Sequence, residues 1–226
     1  MLGTVFQKFS GGCMMVFRHD GESLLFIGTA FLVHENGYLL TVSHTIPQAG
    51  QLIVVPSDSG NEFTPINQER VISVSVEVVR RNVDRDIALL RMQQKIDMQM
   101  PDHFLGTAES SLVGNQVMAL GFAFGHQAMH TLLASSAVTS GKVLSRNNSK
   151  ILLFDTMVHD GDHGGPLVGV DDGLVIGIIN GRFDAREAAK DYTDGSQTIQ
   201  ANTNISYAVA IDYGIALMEA EGLEIH

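Results

Sequence analysis

The chain has 226 residues, 45% of them apolar and 17% charged, with 23 glycines, 5 prolines and a single cysteine, Cys13. That composition excludes a disordered or collagen-like chain, and one cysteine can close neither an internal disulfide nor a cysteine-based zinc site. With 14 Lys and Arg against 25 Asp and Glu the formal net charge is −11, and no dense basic run is present to neutralise phosphates, so no nucleic acid and no membrane is expected as a partner.

The first segment, MLGTVFQKFSGG, lacks the charged start and long apolar run of a signal peptide. The longest apolar stretch, LLFIGTAFLV at 24–33, is interrupted and too short to span a bilayer. A cytoplasmic location is therefore expected, although a trimmed leader would leave the same sequence. From Cys13 onward the apolar runs are short, rich in Val, Ile, Leu and Phe, and separated by turn residues: CMMVFR, LLFIGTAFLV, GYLLTV, QLIVVP, VISVSVEVVR and DIALLRM. Cys13 reads as a buried residue of the first of them. In VISVSVEVV, Val74, Val76 and Val78 alternate with Ser73, Ser75 and Glu77 as a half-buried strand requires.

After a less regular connector at 93–110 a second series begins: QVMALGF, AVTSGKVL, ILLFDTMV, PLVGV, LVIGIING and ISYAVAI. The polar stretch 182–203 is the expected mobile or inserted segment. Ile211, Ile215 and Met218 share one face of a short C-terminal helix. The pattern predicts an all-β protein of two packed antiparallel β-barrels or sandwiches, residues 1–100 and 101–226, with the helix at the end.

Three motifs carry chemistry. In GTAFLVHENGYLLTVSHTI, two strands joined at Asn36-Gly37 deliver His44 beyond the second strand's end. In DRDIALLRM, Asp86 precedes an apolar strand. In GDHGGPLVG, a glycine-rich turn throws His163 outward. In this order they resemble the trypsin-like (chymotrypsin-fold) serine proteases, closest to the HtrA-like branch without disulfides. AVTSGKVLSR and NISYAVAIDYG are similar to further strands of that branch, so the resemblance runs from about Gly12 to Tyr213. No PDZ-like domain is expected to follow Tyr213.

The resemblance implies His44 as general base and Asp86 as the carboxylate that orients it, with the backbone N–H groups of Gly161 and His163 facing a developing oxyanion. It also implies peptide binding by β-augmentation along Ile178, Ile179, Asn180 and Gly181 and along ISYAVAID. The departure lies at the nucleophile, where the family has Ser between Asp and Gly-Gly-Pro and this sequence has His163. An imidazole has no hydroxyl to give and is bulkier than Ser. The expectation is an inactive pseudoprotease that binds a peptide or unfolded protein segment, with no cofactor.

Other readings remain open. His163 could be acylated itself, giving turnover of activated esters. His44 and His163 could share zinc or another divalent ion, although Asp86 is expected to be taken up by His44. Two imidazoles in contact should titrate as a coupled unit, with at least one neutral near pH 7. Ser43, next to His44 on an extended segment, should point away from the cleft. His126 and His130 read as ordinary surface histidines, as do His19, His34 and His103.

Overall fold

Short runs of β-branched and aromatic side chains bounded by turns become twelve strands in the computed structural model, which describes residues 1–225 except 20, 22, 58–62, 64, 67–70, 95–99, 102 and 184–203. The first six are β1 Cys13–His19, β2 Leu24–His34, β3 Tyr38–Val42, β4 Gln51–Pro56, β5 Val74–Asn82 and β6 Ile87–Met92. They close into an antiparallel barrel of order β1-β2-β3-β6-β5-β4. The second six are β7 Gln116–Gly121, β8 Leu133–Leu144, β9 Lys150–Phe154, β10 Pro166–Gly169, β11 Val175–Arg182 and β12 Ser206–Ala210, closed as β10-β11-β12-β9-β8-β7. The predicted pair of antiparallel barrels is the observed architecture.

Each barrel has an apolar interior, with Met14, Val16, Leu39, Val54 and Leu90 in the first and Val117, Leu152, Phe154, Leu167 and Ile179 in the second. A third cluster joins them across the interface. Phe31, Leu40, Ile87 and Leu89 meet Leu120, Phe122, Ile178, Ile211 and Met218, so the faces lining the cleft floor rest on a continuous apolar seam. Cys13 is fully buried as expected, and burial pushes its thiol up to about 12, which leaves it inert.

Helix α2, Asp212–Ala220, follows the predicted face, with Ile211 and Met218 buried and Ile215 partly so. Helix α1, Leu2–Ser10, has no counterpart among the expected elements. Its signal was the spacing of Leu2, Val5, Phe6 and Phe9, which puts Val5 and Phe9 into the shared core, while Lys8 Nζ donates to the Gly173 carbonyl at 2.9 Å. Among the described residues no helix is long and apolar enough to cross a membrane.

In β5 the alternation ends early. Val74 and Val76 are buried but Val78 is 36% exposed, because the register against β6 shifts between Val78 and Arg80. The bulge reverses the facing of the strand beyond it, so Val79, not Val78, packs on the core. The expected mobile stretch 182–203 lies, from 184 onward, outside the described residues.

Candidate active site

Pairing of β3 with β6 sets Val42 opposite Ile87, so the residues just past the two strand ends, His44 and Asp86, meet at one end of the first barrel. Asp86 adopts φ 55°, a left-handed conformation that Asp tolerates better than most side chains, at the end of a turn where Asn82 Oδ1 accepts the Arg85 N–H at 3.0 Å. Its carboxylate accepts three hydrogen bonds. Oδ1 accepts the His44 backbone N–H at 2.7 Å, and Oδ2 accepts from His44 Nδ1 at 2.6 Å and Asn180 Nδ2 at 2.7 Å. A carboxylate can only accept, so Nδ1 is the protonated nitrogen of His44 and Nε2 faces the cleft.

Arg85 ties the same turn to the second barrel. Its guanidinium donates to the Asn147 carbonyl at 2.8 Å and to Ser149 Oγ at 2.7 Å, and lies 4.7 Å from the centre of the Tyr213 ring. The Tyr213 hydroxyl in turn accepts the Lys150 N–H at 2.9 Å. None of these roles can be read from composition or spacing, since they arise only where the barrels touch.

The opposing wall is the turn from His159 to Gly165. Asp160–Asp162 form one turn of 3-10 helix, capped by the bond from the His159 N–H to Asp162 Oδ2 at 2.8 Å. Burial holds the Asp162 carboxyl above the usual carboxylate range, opposed by that bond and by the nearby His159. The first barrel grips this turn through Thr29, which Thr41 braces. Thr29 Oγ1 donates to the Gly161 carbonyl at 2.7 Å and accepts the Phe122 N–H at 3.1 Å. The Thr29 N–H donates to the His163 carbonyl at 2.9 Å, and Thr41 Oγ1 donates to the Thr29 carbonyl at 2.7 Å. So close an approach requires glycine: Gly164 has φ +90°, and a Cβ there would lie 2.1 Å from the Thr29 carbonyl oxygen.

His163 projects from this turn into the cleft. Its Nδ1 is 3.1 Å from His44 Nε2, with the rings crossing edge to face at 67°. Burial, and then the neighbouring His44, pull His163 down to about 4, so it is uncharged at neutral pH. His44, Asp86 and His163 therefore form one hydrogen-bonded chain. Ser43 is buried at the end of β3, and its backbone N–H donates to the Asp86 carbonyl at 3.2 Å.

Two features of the cleft bear on the expected oxyanion and peptide sites. The His163 N–H is directed at the Asp160 carbonyl at 3.4 Å, closing the 3-10 turn. Ile178 and Ile179 are fully buried, and the backbone of Ile179 is bonded to Gly164 and Gly165, so neither isoleucine offers a free edge. Likewise β12, which carries ISYAVAID, is paired with β11 on one side and β9 on the other. The edge facing the cleft begins at Asn180 and Gly181, where β11 runs on beyond its partner β10 and the His163 ring lies beside Gly181.

Among the other histidines, His126 is exposed but packs on the Phe26 ring at 4.8 Å. His130 is half-buried rather than superficial, and its Nδ1 has no hydrogen-bond partner among the described residues. His34 is half-buried as well and accepts the Asn36 N–H at 3.2 Å, and His19 is also half-buried. Among the described residues no group of three His, Cys, Asp or Glu side chains is arranged to hold a metal ion.

Residues 28–178 match the family described as the trypsin-like peptidase domain. The chain is 31% identical over 154 residues to serine protease HTRA1 of Xenopus tropicalis, covering 67% of this chain and 30% of that protein. It is 28% identical over 151 residues to a probable periplasmic serine endoprotease DegP-like of Chlamydia muridarum, covering 67% of this chain and 27% of the relative. The chain thus spans less than a third of the length of these curated relatives. Among solved structures, it is similar in fold to the HtrA-type protease AlgW with tripeptide, at a TM-score of 0.72 and 19% identity, over 97% of this chain and 63% of that one. AlgW with decapeptide gives a TM-score of 0.73 at 18% identity, over 97% and 67%.

Proposed function

The chain belongs to the family of trypsin-like peptidase domains, of the HtrA type, and from that premise we propose that it is a member that binds an extended peptide without cutting it. The observation that carries this reading is the contact between His44 Nε2 and His163 Nδ1 at 3.1 Å. His163 stands at the family's nucleophile position by motif, and the base that would activate a hydroxyl there is bonded to a second imidazole instead. In subtilisin, loss of the nucleophile alone costs on the order of a million-fold in kcat. The bond from the His163 N–H to the Asp160 carbonyl supports the same conclusion, since it occupies a donor that an oxyanion would need.

Binding is supported by the edge at Asn180 and Gly181, where an extended peptide can add main-chain hydrogen bonds to β11. The AlgW structures hold a tripeptide and a decapeptide, and by analogy a short unfolded segment is the class of partner for this chain. The test is hydrolysis of a fluorogenic protein substrate by the natural chain and by His163→Ser, with fluorescence anisotropy of labelled unstructured peptides alongside. The expected result is no cleavage by the natural chain together with saturable peptide binding. Cleavage by the natural chain, or the absence of any peptide binding, overturns the proposal; metal analysis of the same sample identifies cleavage that depends on zinc.

A further inference from the structure

The hydrogen-bond chain fixes where the protons sit on His163. Asp86 accepts the hydrogen bond of the protonated Nδ1 of His44, so in the neutral ring His44 Nε2 is an acceptor. His163 Nδ1, 3.1 Å away, must then carry a proton and donate it. In a neutral imidazole only one nitrogen is protonated, so the lone pair of His163 lies on Nε2, on the opposite side of the ring from His44. That atom has no hydrogen-bond partner among the described residues. It lies beside Gly181, where an added Cβ would sit in ordinary van der Waals contact, 3.4 Å from Nε2 and 3.6 Å from Cε1, and His163 as a whole is partly exposed at the cleft.

On this cleft assignment, which the proposed function shares, we infer that Asp86, His44 and His163 form an acyl-transfer relay, with His163 Nε2 as nucleophile toward activated acyl groups, namely thioesters and aryl esters. Nε2 bonds to the acyl carbon as the C–S or C–O bond breaks. The charge this would leave on the ring is relieved because Nδ1 passes its proton to His44 Nε2, and the His44 imidazolium is stabilised by Asp86. The thiolate or phenolate departs as the anion and takes its proton from water, and the His44 imidazolium gives its extra proton back to water, leaving a neutral acyl-imidazole on His163. Water adds to that acyl carbon, its hydroxyl leaves with the carboxylic acid, and its remaining proton returns to His163 Nδ1.

The substrate class is set by leaving-group chemistry. When the tetrahedral adduct collapses, imidazole departs more readily than a peptide nitrogen, so amides revert to starting material, whereas thiolates and phenolates leave forward. With the His163 N–H engaged by Asp160, there is also less oxyanion stabilisation to compensate for a poor leaving group. His163, held down to about 4, is uncharged at neutral pH, so its lone pair is available there. The arrangement uses the family's base and orienting carboxylate but moves the reacting atom outward by the width of an imidazole ring.

The experiment is stopped-flow reaction of the full chain with p-nitrophenyl acetate, with acid quenching, fragment mapping by mass spectrometry and hydroxylamine release of the adduct. The expected result is a burst of nitrophenol with the acetyl group on His163, about 100-fold faster than 4-methylimidazole at equal concentration, a gain typical of positioned proton transfer. His163→Gln, which keeps a polar side chain in the turn, should abolish the burst, and His44→Ala should slow it by about the same 100-fold. An acetyl group found on lysines, or a burst that survives in His163→Gln, overturns the relay. Labelled-peptide anisotropy on the same samples separates the two conclusions: peptide binding without acylation at His163 refutes the relay, whereas acylation without peptide binding upholds the relay and refutes the binding function.

Discussion

The two walls of the cleft are built on opposite principles. On the Asp86 side one carboxylate receives three donors, from the His44 backbone, the His44 ring and Asn180, so each bond has others to support it. On the His163 side the turn is held by close backbone approach, with glycines where a methyl group has no room and with Thr29, braced by Thr41, reaching across from the other barrel. The first wall is a charge network that can lose a member and keep its shape. The second is a steric fit that cannot. The protein therefore keeps a complete base and orienting carboxylate opposite a turn whose backbone is preserved and whose reacting group is changed.

The largest effect that would break this contrast is expected from Gly164→Ala. With φ +90° and the Thr29 oxygen 2.1 Å from the new Cβ, the turn must move, at a cost of about 3 kcal/mol or more read as a loss of urea stability. Gly3→Ala, at a position with nothing within 4 Å, should be close to neutral in the same assay. If both variants behaved alike, the turn would not be under steric control.

A similar magnitude is expected from pH. The folded-state value of His163, about 4, lies below the ordinary histidine value of about 6.5, so as pH falls the unfolded chain takes up this proton first. Stability contributed by keeping the ring neutral is complete above about pH 6.5 and declines as pH drops toward 4, by at most about 3 kcal/mol. Urea midpoints measured across that interval should fall less steeply in His163→Ser than in the natural chain. Equal slopes would mean that the imidazole is not held neutral by its surroundings.

A smaller effect is expected from Thr29→Val. It removes the hydroxyl that bonds the Gly161 carbonyl and accepts the Phe122 N–H, leaving two buried backbone groups unpaired for a loss of about 2 kcal/mol. Asn180→Ala sharpens the comparison, because Asp86 keeps both of its bonds from His44; thermal melting should register less than half the Thr29→Val effect.

Most of the architecture was legible because strand-forming runs and turn residues recur in register with the barrels, and each predicted strand overlaps an observed one. His44, Asp86 and His163 were legible through their motifs, and the structure brings the three into one chain of contacts. Helix α1 was not expected although Leu2, Val5, Phe6 and Phe9 carry its period, because a helix of only 9 residues repeats that period too few times to stand out. Val78 was misread because a bulge is a property of pairing and cannot be seen in one strand's alternation. Thr29, Thr41 and Arg85 were invisible for a different reason. They are ordinary strand and turn residues, and their roles exist only where one barrel meets the other.

Both barrels are closed, so neither presents an open row of backbone donors to the other. Their union depends on the apolar seam and on a few side chains that cross it, Thr29, Arg85 and Asn180 among them. Each barrel closes its own ladder, whereas the His44–His163 contact exists only while the two are docked, so a separation of the barrels that left both ladders intact would still erase the site.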